Sequence, residues 1–196
     1  MAKTTLVTGG SGYIGAMLVR ELLEAGHEVR VLDSLLHGQE DIAAEQEQAG
    51  VTVVRGDVRD AAARAKALAG ANNVVHLAAI VGDPACARDP QVSDDVNVKA
   101  TEALVADASA AGVERLVFAS TCSNYGRMAD PTMPITEQGT LAPVSLYAEQ
   151  KVAVEQHLLA LDPAPFAVTC LRFATVYGAA PRMRFDLTVN EFTHDL

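Results

Sequence analysis

Thr8-Gly9-Gly10-Ser11-Gly12-Tyr13-Ile14-Gly15 stands between a short apolar run, Thr5-Leu6-Val7, and a longer stretch, Ala16 to Glu24. The run before it reads as a strand and the stretch after it as a helix. Gly10, Gly12 and Gly15 fit a G-x-G-x-x-G spacing, and Gly9, Gly12 and Gly15 fit a wider one, G-x-x-G-x-x-G. Strand, glycine turn and helix in this order build a dinucleotide site. The glycines let backbone approach a pyrophosphate, and the helix N-terminus presents unpaired N–H groups with a partial positive charge. Glycines also serve plain tight turns, so their surroundings decide. Glu28-Val29-Arg30-Val31-Leu32 reads as a second strand. Asp33 ends it roughly twenty residues beyond the glycines, where an acid accepts hydrogen bonds from an adenosine ribose. A carboxylate there repels a 2′-phosphate, and no Arg follows within the next several residues, which favours NAD over NADP.

Further along, Val51–Arg55, Val74–Ala78, Arg115–Ala119 and Ala167–Leu171 read as strands. Ala61–Ala69, Val92–Ala111 and Ser145–Leu161 read as helices, the first two ended by Gly70 and Gly112. A last helix is expected around Asp186 to Asp195. Near-continuous apolar strands suit a sheet covered on both faces, so the expected fold class is α/β, a doubly wound parallel sheet of the Rossmann type. The longest irregular stretch, Thr121 to Ala142, begins at the end of the fifth strand, on the edge where ligands bind in such sheets.

The 196 residues fit one domain with a real core, and 49% hydrophobic with 20% charged residues describes a globular chain. A net charge of −10 argues against nucleic acid and anionic membrane surfaces as partners, and leaves any anionic ligand to local donors. The three cysteines, Cys86, Cys122 and Cys170, are odd in number and show no C-x-x-C spacing. Neither a disulfide framework nor a metal site is expected, and a reducing cytoplasm is the natural compartment. The chain enters a strand at once, so no signal peptide is expected, and no apolar run reaches transmembrane length.

Tyr147-Ala148-Glu149-Gln150-Lys151 carries the second signal. Four residues apart on a helix, Tyr147 and Lys151 share a face. A nearby ammonium, with the positive charge of an oxidised nicotinamide, favours a phenolate that titrates near pH 10 by itself. Such a phenol serves as general base towards a hydroxyl and as general acid on the return. Alone, the pair is an ordinary helix-face pair more often than a catalytic one; beside a dinucleotide fingerprint the balance reverses.

The chain resembles an extended short-chain dehydrogenase/reductase of the NAD-dependent epimerase/dehydratase family acting on nucleotide-sugars. The resemblance runs through Thr8–Gly15, Asp33, Gly56-Asp57-Val58, His76-Leu77-Ala78-Ala79, Asn97-Val98, Ser120–Gly126, Tyr147–Lys151 and Arg172–Gly178, in family order over almost the entire chain. It implies cofactor contacts from Gly9, Gly12, Tyr13, Ile14, Gly15, Asp33, Asp57, Val58, Leu77, Ala78, Ala79, Tyr147 and Lys151. Asp57 would accept from the adenine amino group and the Val58 N–H would bond the ring, although Asp57 also suits a plain turn. Asn97 would support the catalytic helix through the backbone, or be a satisfied buried amide. Thr121 would share the substrate hydroxyl with Tyr147, or merely close a turn, with Ser123 as the fallback.

Dehydratases of this family often carry Asp and Glu directly after the catalytic Thr, where this chain has Cys122 and Ser123. Cys122 is an acid or base only with a lowered pKa, and otherwise a small packing residue. The segment Val81–Cys86, whose Gly82-Asp83-Pro84 reads as a turn, resembles one that approaches the sugar in the family, which implies contact from Val81 or Gly82. Cys122, Ser123, Arg182 and Asn190 complete the candidate substrate contacts, Arg because it matches phosphate geometry, with a solvated Arg182/Arg184 pair as the alternative. The expected reaction is epimerisation of a nucleotide-diphosphate sugar through a transient keto-sugar. The alternatives are a dehydratase or reductase on the same scaffold, and a non-catalytic NAD-binding module.

The resemblance also implies a homodimer, through the helices at Val92–Ala111 and Ser145–Leu161. Ala103, Ala106, Ala108, Ala110, Ala153, Val154 and Leu158 are more apolar and small residues than one buried face requires. It divides the chain into an NAD-binding Rossmann domain, 1–180, and the start of a substrate-binding lobe, 181–196, that is absent or only begun.

Overall fold

The computed structural model describes residues 3–127 and 133–195. Residues 128–132 of the long irregular stretch and Leu196 lie outside the described residues. Six strands form one sheet: β1 (Thr4–Thr8), β2 (Glu28–Asp33), β3 (Thr52–Arg55), β4 (Asn73–His76), β5 (Arg115–Thr121) and β6 (Ala167–Phe173). All neighbours are parallel, in the order β3-β2-β1-β4-β5-β6. The strand order reverses at β1, so a crevice opens between the C-terminal ends of β1 and β4.

The helices are α1 (Tyr13–Glu24), α2 (Glu40–Gln48), α3 (Ala61–Leu68), α4 (Asp83–Arg88), α5 (Pro90–Asp94), α6 (Ala100–Ala110), α7 (Leu146–Leu159) and α8 (Thr188–His194). Alternation along each strand splits the core in two. Leu6, Leu32, Val74, Leu116 and Phe118 pack with Ala67 and Leu68 of α3, Leu104 and Ala108 of α6, and Val154 and Leu158 of α7. Val7, Val29 and Val31 pack on the other face with Val19 of α1. Successive residues of β1 thus serve opposite layers, which requires both to be apolar and hides any alternation from the sequence.

The expected helix Val92–Ala111 is not one helix. It consists of α5, a π-turn over Asp95–Lys99, and α6. Its buried residues recur every four positions: Val96, Ala100, Leu104 and Ala108 in one row, Ser93, Asn97 and Thr101 in another. At 3.6 residues per turn such rows drift by about 40° per step. The wider π-turn takes up the drift and keeps both rows facing inward.

Two helices were not expected. In α2 only Ala43 and Gln46 are buried, so no apolar stripe announces it. Asp83-Pro84, which reads as a turn, instead opens α4: Gly82 lies before it at φ 93°, and Pro84 sits in the first turn, where its missing N–H costs nothing.

Candidate functional site

The glycine loop is a cradle that only glycine can line. A Cβ on Gly15 would lie 2.1 Å from the Gly9 carbonyl oxygen, and one on Gly9, whose φ is 70°, would lie 2.9 Å from the Ala78 nitrogen. These are backbone clashes, with no flexible side chain to give way. Gly12 caps α1 without a side-chain hydrogen bond, and the first helical bond runs from Ala16 N–H to Gly12 O at 3.0 Å. The N–H groups of Tyr13, Ile14 and Gly15 precede that bond, as an anion-binding helix end requires.

Asp33 is buried at the C-terminal end of β2, and its two oxygens accept from Ser11 N–H and Leu35 N–H, each at 2.9 Å. It therefore fixes the glycine loop, and each carboxylate oxygen keeps a further lone pair as an acceptor. Gln46 of α2 completes the support: its Nε2 donates to Gly10 O at 2.8 Å, and its Oε1 accepts from Ser11 Oγ at 2.9 Å. The sequence reading missed Gln46, because a glutamine in a polar helix carries no signal of its own. Leu77, Ala78 and Ala79 follow β4, half-buried, along the floor of the crevice. Asp57 lies at the end of β3 with its carboxylate paired to Arg59 at 2.6 Å, and that guanidinium holds it below the usual carboxylate range. Val58 is buried beside it, and its carbonyl accepts from Arg64.

Beneath this floor runs a directed chain of hydrogen bonds. Thr101 Oγ1 donates to Asn97 O at 2.8 Å, so it accepts from His76 Nε2, also at 2.8 Å. His76 Nδ1 is then the acceptor for Thr8 Oγ1 at 2.6 Å, while Thr8 Oγ1 accepts from Ala78 N–H at 3.2 Å. Burial pulls His76 down to about 3, so the ring is neutral and this tautomer is the one the partners require. The Asn97 side chain reaches Ile80 and Gln150, so its support of α7 goes through the side chain.

Tyr147 and Lys151 stand on one face of α7, with the ammonium 5.8 Å from the phenol ring centroid. Lys151 is buried, donates to Ala119 O at 2.8 Å and lies 4.6 Å over the Phe118 ring. Burial pulls Lys151 down to about 8 and pushes the Tyr147 phenol up to about 12, helped by Cys86 and opposed by Arg184. Both shifts follow from one rule, that a dry site disfavours the charged form. Among the charges around the phenol, Arg184 is the one that pulls it down, against burial.

Thr121 ends β5, buried, and its hydroxyl accepts from Ser123 N–H at 3.1 Å. It closes the turn Cys122–Tyr125, and its own proton is not spent in that bond. The turn is braced from below by Glu155, which the sequence reading also missed. The buried Glu155 carboxylate accepts from Ser120 Oγ at 2.7 Å, Asn124 Nδ2 at 3.2 Å and Arg172 Nε at 2.9 Å. Arg172 goes on to the Tyr125 hydroxyl at 2.9 Å. The available signal was spacing: Tyr147, Lys151 and Glu155 recur every four residues.

Val81, Cys122 and Ser123 are exposed near this edge. Asn190 of α8 is buried, with its amide on Gly178 N–H at 3.0 Å, Tyr13 Oη at 3.0 Å and Arg184 O at 3.0 Å. It joins the segment after β6 to the helix of the glycine loop. Arg184 pairs with Asp186, and Arg182 is half-buried and, after burial, lowers His37, which Asp33 raises.

A model of the NAD dependent epimerase/dehydratase family matches residues 5–194. The chain is 37% identical over 158 residues to a UDP-glucose 4-epimerase of Streptomyces lividans, which covers 79% of this chain and 46% of that protein. The structure of a Thermus thermophilus UDP-glucose 4-epimerase in complex with NAD matches with a TM-score of 0.83 at 33% identity, over 93% of this chain and 58% of that one. TunA, an NAD-dependent NDP-hexosamine 5,6-dehydratase involved in tunicamycin biosynthesis, matches with a TM-score of 0.79 at 32% identity, over 96% of this chain and 59% of its own. The chain spans about half the length of the curated relatives it matches.

Proposed function

Because the chain belongs to the NAD dependent epimerase/dehydratase family, we propose that it is an NAD-dependent nucleotide-diphosphate-sugar epimerase working through a transient keto-sugar. What supports this reading is that Tyr147 and Lys151 share a face of α7, with Lys151 bonded to Ala119 O two residues before Thr121 at the C-terminal end of β5, in the sheet that bears the glycine cradle. The cradle fits NAD: Gly9 and Gly15, where a Cβ would strike backbone, a helix end without a side-chain cap, and a buried acid at the end of β2.

When bound, NAD supplies a hydride acceptor and a positive ring. Tyr147 takes the proton of the sugar hydroxyl, and Thr121 hydrogen-bonds the same oxygen. Lys151, charged below about 8, adds its field to the phenol, and its bond to Ala119 O holds it in place. A keto-sugar that turns over before reduction leaves with the opposite configuration. Cys122 and Ser123 stand where the acids for water elimination would be, which favours epimerisation. The likeness to TunA supports the second reading, a dehydratase with Cys122 as its acid.

Residues 1–180 would hold the cofactor, and 181–196 would open the sugar-nucleotide side. A cytoplasmic homodimer through α6 and α7 belongs to the same reading. Ala106, Ala110 and Ala153 are exposed there and Leu159 is 63% exposed, whereas Ala108, Val154 and Leu158 serve the core. A monomer mass by light scattering at micromolar concentration would count against the dimer.

UDP-sugars incubated with NAD and protein, with products read by NMR and NADH by absorbance, test the function. Inversion at one carbon without net NADH is the expected result. Loss of water or accumulation of NADH would replace the epimerase by one of its rivals, and NAD binding without any turnover would leave a binding module.

A further inference from the structure

Gln150 lies between Tyr147 and Lys151 in α7 and has no role in the chemistry just described. Its side chain is buried, and its Oε1 accepts from Ser93 Oγ at 2.7 Å and from Asn97 Nδ2 at 2.9 Å. The same Asn97 amide grips both backbone groups of Ile80: Oδ1 accepts its N–H at 2.8 Å, and Nδ2 donates to its carbonyl at 3.0 Å. Ile80 continues the floor formed by Ala78 and Ala79. Through one amide, α7 is therefore indexed to the backbone that underlies the dinucleotide.

We propose that Gln150 is a positioning residue, whose clamped amide sets the height of α7 against the end of β4 and so places the Tyr147 phenol and the Lys151 ammonium over the cofactor floor. The inference rests on the reading of Tyr147 as general base.

Three observations carry it. First, α7 is attached on two sides. Lys151 and Glu155 tie it to Ala119 and Ser120 of β5, and Gln150 ties it to the β4 side, so losing Gln150 releases the β4 side while the β5 side stays anchored. Second, Ser93 of α5 and Asn97 of the π-turn converge on Gln150, and such turns are frequent at functional sites. Third, Gln150 Nε2 is buried with no hydrogen-bond partner among the described residues. An unpaired buried amide nitrogen is unfavourable, and a Met or Leu would fill the same space without one. Packing alone therefore does not account for an amide here. What the amide adds is direction: two donors meet one oxygen, which fixes rotation and translation of the helix together.

The test is made on NAD-loaded protein. The Tyr147 phenol is titrated by ultraviolet difference spectroscopy, as the difference between each protein and its Tyr147→Phe counterpart. Facing this phenol are Cys86 and Asp83 of α4, Cys122 after β5, Arg184 before α8 and Lys151 on α7, and none of them is altered. Gln150→Met should move the titration upward by about half a unit or more, since the phenol and ammonium lose their fixed approach. With a UDP-sugar that is turned over, kcat should fall about tenfold or more while KM stays within about threefold, as for a misplaced reacting group. Ser93→Ala removes one of the two bonds without touching α7. It should shift both readouts in the same direction by less, and it decides the matter if Gln150→Met does not fold.

A folded Gln150→Met that melts earlier but keeps its titration within about 0.2 unit and its kcat within about twofold would reduce Gln150 to a structural amide. If the wild-type protein turns over no UDP-sugar, the functional reading fails, and the titration alone then decides the role of Gln150.

Discussion

Glu155→Ala is the substitution whose cost the structure predicts most directly. The carboxylate is 2% exposed and meets three donors at once, Ser120 Oγ, Asn124 Nδ2 and the Arg172 guanidinium. Its removal strands a guanidinium whose side chain is only 16% exposed. Breaking a buried ion pair from one side costs about 3–5 kcal/mol, because the partner charge is left uncompensated. Arg172 keeps the Tyr125 hydroxyl and Glu137 O as acceptors, which places the expected loss at the lower end, about 3 kcal/mol. In a domain of this size that is a fall of roughly 6–12 °C in melting temperature. Chemical denaturation measures the loss directly. Glu155→Met combined with Arg172→Met leaves no stranded charge and should recover at least half of it. The turn Cys122–Tyr125 also loses its brace, so turnover should fall in the single variant. A loss below about 1 kcal/mol, the range of a solvated surface pair, would refute the reasoning.

Tyr147→Phe should lower turnover by a factor of about 10² or more while NAD binding stays nearly intact, and retention of more than about a tenth of the rate would remove Tyr147 as general base. Asp33→Ala should narrow the preference for NAD over NADP; calorimetry on the wild type that gave equal affinities would overturn the assignment of Asp33. In Gly15→Ala the new Cβ starts 2.1 Å from Gly9 O, so the cradle must move. NAD affinity should drop by about 1–3 kcal/mol, or roughly 5–150-fold, the cost of forcing a methyl into packed backbone; affinity within about threefold of wild type would contradict the cradle. His76, pulled down to about 3 by burial, must take up a proton on unfolding at any pH between that value and its ordinary 6.5. Its contribution is complete above pH 6.5 and is lost as pH falls, by up to about 1.4 kcal/mol per pH unit. His76→Gln should flatten the acid limb of the stability curve, and parallel curves for the two proteins would refute this.

Order along the chain was enough to show the sheet class and the cofactor edge. Glycine spacing, the apolar runs and Asp33 are local signals: a Cβ clash within one loop and an acid at a strand end need no knowledge of what packs above them. Tyr147 and Lys151 were equally legible, because four residues on a helix is a distance the sequence states outright. The residues that hold these groups in place were not. Gln46, Glu155 and Gln150 act through partners 36, 35 and 57 positions away, and nothing local distinguishes them from solvated polar residues. The π-turn escaped for a related reason: its four-residue rows satisfy a helical pattern, and only the demand that both rows face one core makes the helix open. Most of all, the charge state of Tyr147 and Lys151 belongs to the tertiary structure. Spacing sets Tyr147 near an ammonium, but burial sets both groups towards their neutral forms, because desolvation depends on everything packed around them and not on the two residues themselves.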